Sequence, residues 1–204
     1  MTPPSSSIIR DKIAEILGNS VIWVTKIQEL KSMYDKSLQE ITIPSSVISI
    51  GSSAFRDCSS LKKISIPSSV IIIGSYAFYG CILLKQIFIP LSVTSIGSFA
   101  FSKCYSLIKF EIPSSIKIID DSVFEGCSSL QNVIIPSSVI SFGQSSFKGC
   151  SSIKSIQIPS LITQIRSYCF SGCSSLEKIS IPSSTKEIGS YIFEGCKKLF
   201  ELTI

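Results

Sequence analysis

Eight cysteines carry the most obvious chemistry in this 204-residue chain. Seven of them, Cys58, Cys81, Cys104, Cys127, Cys150, Cys173 and Cys196, recur every 23 residues, and Cys169 stands outside the series. Thiolates can ligate zinc or pair as disulfides, and each use demands a geometry. Zinc needs four converging ligands, whereas the chain has no histidine and no Cys-x-x-Cys, its nearest pair being Cys169 and Cys173. Residues recurring at a fixed step point the same way. A disulfide between neighbouring units would need Cβ vectors turned towards each other. The expectation is therefore buried thiols packed as small hydrophobes, with disulfides between neighbouring units as the alternative and no metal.

Acid–base and nucleophilic chemistry have less to work with. Without histidine, a base would be a lysine or a carboxylate. Asp120 and Asp121 are the only adjacent carboxylates, and they sit where a turn is expected. The serines fall at fixed turn positions, and no glycine-rich phosphate loop is present. No enzyme and no cofactor is expected.

Composition narrows the class further. Apolar residues make up 45% and charged residues 16% of the chain. Their apolarity is scattered: the longest aliphatic runs are about four residues, as at Val70–Ile73, and a membrane-spanning helix needs roughly 20. The net charge of +5 comes from 19 dispersed basic residues, which reads as a solvated surface and not as a nucleic-acid groove. The first residues, MTPPSSSIIRDKIAEILG, do not read as a secretory signal, and no Asn-x-Ser/Thr sequon occurs.

The elements that position the cysteines follow from two further series at the same step. Proline recurs at Pro44, Pro67, Pro90, Pro113, Pro136, Pro159 and Pro182; phenylalanine at Phe55, Phe78, Phe101, Phe124, Phe147, Phe170 and Phe193. A fixed period of this length signals a solenoid. In the unit that starts at Leu61, Leu61-x-x-Ile64-x-Ile66 is a short strand with one buried face, and Pro67 ends it. Ser68-Ser69 can bond nearby backbone in the bend. Val70 and Ile73 point back to the core. Gly74 suits a positive φ or a close approach, and Ala77, Phe78 and Cys81 form the inner face of the return, with Gly80 serving another turn. Seven complete units fill residues 38–198, and an eighth starts at Leu199. Stacked parallel strands lie about 4.7–5 Å apart, so the phenylalanines should form one spine.

The run Ile66-Pro67-Ser68-Ser69-Val70-x-x-Ile73-Gly74-x-x-Ala77-Phe78-x-Gly80-Cys81-x-x-Leu84 resembles the BspA-like leucine-rich repeats, in the form seen in trichomonads. The resemblance covers residues 38–204. It implies a leucine-rich-repeat solenoid of the α/β-type repeat class, with short parallel strands and turns or 3-10 segments on the convex side. It also implies a protein-binding or adhesion role using the concave sheet face, and a cell-surface or secreted location. The absence of a signal peptide leaves the cytoplasm as the alternative. Asp120 and Arg166 depart from the pattern at the first glycine, Asp57 and Lys103 at the second, Cys169 and Ile192 at the alanine, and Phe142 at the isoleucine.

Residues 1–37 break the period. Ser5–Ser7 can cap a helix with Ile9, Ile13, Ile16 and Leu17 on one face, and Trp23, Ile27, Leu30 and Tyr34 continue a helical pattern. A helical amino-terminal cap over residues 1–37 is expected, followed by the solenoid over 38–204. Glu201–Ile204 ends inside a strand, so self-association through that open coil, in a structural scaffold, is the rival functional reading.

The strand face varies between units, as a solenoid's binding surface does. Phe88, Ile108 and Ile134 should be exposed together, ringed by Lys63, Lys85, Lys109 and Glu111. These seven residues are the candidate binding face, for a protein of host or matrix origin, with no nucleic acid and no membrane insertion.

Overall fold

The computed structural model describes residues 38–203. The expected helical cap at residues 1–37, Trp23 included, lies outside the described residues.

Alternation of burial makes the strands. Around the buried Ile64, Lys63 and Ser65 are both exposed, as side chains on a pleat must be. In chain order the described strands are Glu40–Thr42 (β1), Ser49–Ile50 (β2), Lys63–Ser65 (β3), Ile72–Ile73 (β4), Ser95–Ile96 (β5), Lys109–Glu111 (β6) and Ile118–Ile119 (β7). They continue with Asn132–Ile134 (β8), Ser141–Phe142 (β9), Gln164–Ile165 (β10), Lys178–Ser180 (β11), Glu187–Ile188 (β12) and Glu201–Thr203 (β13). All pair in parallel, one unit to the next: Ile41 lies beside Ile64, and Ile73 beside Ile96. The chain is a parallel solenoid of about seven turns.

Two ladders run along it. The first contains β1, β3, β6, β8, β11 and β13, with single bridges Gln86–Lys109 and Ser155–Lys178. The second contains β2, β4 and β5, then β7, β9, β10 and β12. This second ladder exceeds the sequence expectation, which gave Val70 and Ile73 an inward role only. Both are buried, and the intervening Ile71 and Ile72 are exposed; four consecutive β-branched residues suit a pleated surface.

A third wall, the return, is also bonded between coils. Ser53 N–H donates to Ser75 O at 2.8 Å, Phe55 N–H to Ala77 O at 2.7 Å and Asp57 N–H to Tyr79 O at 2.6 Å. Within each return the chain turns by three-residue steps, as in Ala54 N–H to Gly51 O at 3.2 Å. No helix occurs among the described residues, so the α/β label of the expected repeat class does not hold there. The reason is local. Ser53, Tyr76, Phe99, Ser122, Ser145, Tyr168 and Tyr191 hold φ between 55° and 61°, and a left-handed residue stops a right-handed turn from propagating.

The two glycine positions divide the work. A Cβ on Gly74 would lie 2.6 Å from Ser52 N, so this glycine serves close approach, while Gly80 has φ 70°. Asp57 and Lys103, at the second position, adopt the same left-handed backbone, with φ 56° and 59°.

The core is one continuous cluster. The phenylalanine spine is complete from Phe55 to Phe193, with successive ring centroids 5.2 to 6.0 Å apart and rings near parallel. The widest step, 6.0 Å, separates Phe101 from Phe124, where Phe110 wedges edge-on at 4.9 and 4.7 Å. The serines of the bend act differently from expectation. Ser69 Oγ donates to Val47 O at 2.7 Å and Ser138 Oγ to Ile116 O at 2.8 Å, so each staples its coil to the preceding one instead of closing a local bend.

Pairing is interrupted at three junctions among the described residues. The first ladder lapses between β3 and Gln86 and again between β8 and Ser155; the second lapses between β5 and β7. At the last of these Asp120 replaces a close-approach glycine.

Candidate functional site

The first-ladder face carries the side chains that escape the repeat. Phe88 is 74% exposed and Ile134 45%. Alternation along the chain presents both outward: the neighbours of Phe88, Ile87 and Ile89, are buried, and those of Ile134, Val133 and Ile135, pack against the core. A groove of about 810 Å³ opens across this face. Phe88, Ile134, Lys63, Lys109 and Glu111 all line it. Five of the seven residues predicted from sequence are thus gathered in one place. Ile108 is 44% exposed, but it and Lys85 lie outside the groove lining. They occupy the row of outward positions one residue before Lys109 and Gln86, ahead of the strand and three residues before the row of Phe88 and Glu111.

Leu91 belongs to the groove and was missed. It is 70% exposed, and the equivalent residues of the other units are Ser45, Ser68, Ser114, Ser137, Ser160 and Ser183. Its signal is a leucine interrupting a serine column, in a bend that strand alternation does not reach. A smaller groove of about 450 Å³ lies further along the same face, beside Gln157, Ser180 and Thr203.

The cysteines take no part in this surface. None of the eight is in a disulfide, and seven are buried. Cys104 Sγ donates to Phe78 O at 3.2 Å and Cys127 Sγ to Phe101 O at 3.1 Å, and the motif repeats through Cys196. Burial pushes the Cys127 and Cys169 thiols up to about 12, and the Cys150 thiol well above its ordinary value. Such thiols are poor nucleophiles, because the thiolate is the reactive form. Among the described residues no three His, Cys, Asp or Glu side chains are grouped to hold a metal ion.

Asp120 and Asp121 hold a turn. Asp121 Oδ1 accepts the Gln144 N–H at 2.7 Å and lies 4.0 Å from Arg166 Nη1. Burial, and then the charge of Asp121, raise the Asp120 carboxyl above its usual range. No helix among the described residues is long and apolar enough to cross a membrane.

Comparison with known proteins gives one family match. The family described as "BspA type Leucine rich repeat region" matches with six copies over residues 25–151 and 117–204. Among solved structures, the leucine rich repeat protein of T. pallidum superposes with a TM-score of 0.76 at 33% identity, over 80% of this chain and 78% of that one. A leucine-rich repeat protein from Eubacterium ventriosum gives 0.68 at 35% identity, over 77% of this chain and 42% of that one. One from Bacteroides ovatus gives 0.52 at 30% identity, over 83% and 56%. The chain therefore spans most of the first but only about half of the other two. No curated protein matches.

Proposed function

The chain belongs to the BspA-type leucine-rich-repeat family, and we propose that it is a non-enzymatic module that binds another protein through its first-ladder face, at the cell surface. One observation carries the reading: a scaffold repeated down to single hydrogen bonds carries an irregular face, with Phe88, Leu91 and Ile134 exposed around one groove. Exposed apolar side chains with a polar rim are the composition of an interface. The surface location rests on the family alone.

The experiment is capture of candidate partners by the native chain and by the double variant Phe88→Asp with Ile134→Asp. Both side chains contribute little to the core, so the melting temperature should stay within about 2 °C, as for surface changes in general, while partner capture is lost. A well-folded double variant that captures the same partners as the native chain sinks the proposal.

A further inference from the structure

If the first-ladder face binds a protein, as proposed above, the chemistry of its groove restricts the partner. The groove opens where the ladder lapses: β3 pairs on one side only, with β1, and residues 87–90 carry no strand. Phe88 rises from that stretch and Leu91 from the turn that follows it, an aromatic and an aliphatic group that the native fold leaves in water. Lys63 and Lys109 line the same groove, and Lys85 stands beside it. Among the described residues none of these three lysines is in an ion pair, whereas Lys178, further along the row of Lys63 and Lys109, is held by Glu201 at 2.6 Å. Glu111 is the one carboxylate lining the groove. A partner that covers Phe88 and Leu91 must also take lysine ammonium groups out of water, which is costly unless it supplies the opposite charge.

We propose that the occupant is an extended peptide segment of a partner protein, carrying large apolar side chains beside carboxylates. The apolar groups cover Phe88, Leu91 and Ile134, and the carboxylates reach Lys63 and Lys109. A second copy of this chain fits poorly, because pairing the same face would set one lining with two lysines and a single carboxylate, Glu111, against another of the same net positive charge.

Fluorescence anisotropy of labelled peptides on the full chain tests this. The first peptide alternates phenylalanine or leucine with glutamate; its twin has lysine for glutamate, and a third has serine for the apolar residues. The first should bind and the others should not. Lys63→Glu with Lys109→Glu should weaken binding by about tenfold or more, as for close charge pairs at interfaces, and added salt should weaken it too. Lys117→Glu, outside the groove, should leave it unchanged. Equal binding of the lysine twin overturns the proposal, and so does stronger binding of a single-stranded oligonucleotide. If no peptide binds, yet Phe88→Asp with Ile134→Asp still abolishes partner capture, the charge inference falls and the protein-binding reading stands. If that double variant also captures normally, both fall.

Discussion

A cysteine repeated in every coil does a task that alanine or valine could not fill. The site is small, apolar and faces a carbonyl of the preceding coil, so a thiol both packs and donates a weak hydrogen bond. The same burial sets a pH limit. Cys127 has an ordinary pKa of 9.0 and is pushed up to about 12 by burial. A raised folded value means that the unfolded chain gives up this proton first. The resulting stability is whole below pH 9 and drains away as pH rises towards about 12. Thermal melts from neutral to alkaline pH should therefore fall above pH 9, and fall less steeply in Cys127→Ala. Parallel pH profiles for the two proteins would remove the thiol as the cause. Every other ionisable group is common to the two proteins, so the difference isolates Cys127.

At the scale of the element, close approach and backbone handedness make separate demands on glycine. A Cβ on Gly143 would lie 2.6 Å from Asp120 C and Asp121 N, backbone atoms that cannot swing aside as the equally close Asp121 Oδ1 can, and Gly143 itself needs no positive φ. Gly172 has φ 74°, and a Cβ there would meet Gly149 Cα at an ordinary 3.4 Å. Gly172→Ala should cost about 1–2 kcal/mol, the left-handed penalty alone. Gly143→Ala should cost more, up to about 3 kcal/mol, as overpacking does. Chemical denaturation orders the pair, and a smaller loss at Gly143 would refute the steric account. Handedness was the less legible of the two in sequence. Glycines 74 and 80 could be read as special, but Tyr76, Phe99 and Tyr168 bear no mark of a left-handed backbone. Their conformation is imposed by inter-coil bonds such as Tyr76 N–H to Ser98 O at 3.0 Å, at a cost no residue preference reveals. The second ladder was hidden for a related reason. Val70 and Ile73 were readable as inward, but a two-residue strand such as β4 exists only through its partners on either side.

For the whole molecule the period itself was plain, since Pro, Phe and Cys columns at one step admit no other arrangement, and the stacked phenylalanine spine follows from them. The binding face was legible only in part. Phe88 and Ile134 were found because strand alternation marks outward positions, while Leu91 stands in a bend that alternation does not reach. The period also makes the fold modular, because each coil contacts only its neighbours. Removing one whole unit, Ile108–Leu130, joins Leu107 to Gln131 with every column in step. That shortened chain should still melt cooperatively, at a lower temperature. Removing Ile108–Ile118 instead puts each later column out of register and should abolish the transition. Circular dichroism on the two deletions decides the matter, and equal behaviour would deny that the period holds the fold.

The three lapses in strand pairing occupy different junctions. Where the first ladder stops between β3 and Gln86, β4 and β5 remain joined; where it stops between β8 and Ser155, β9 and β10 remain joined; and where β5 and β7 part, Gln86 still bridges Lys109. This is the masonry of staggered joints. A pull along the axis meets no course at which both walls are open, so the load at each joint passes to the wall beside it. Phe88 and its groove can occupy a gap in one wall without weakening the column through its full section.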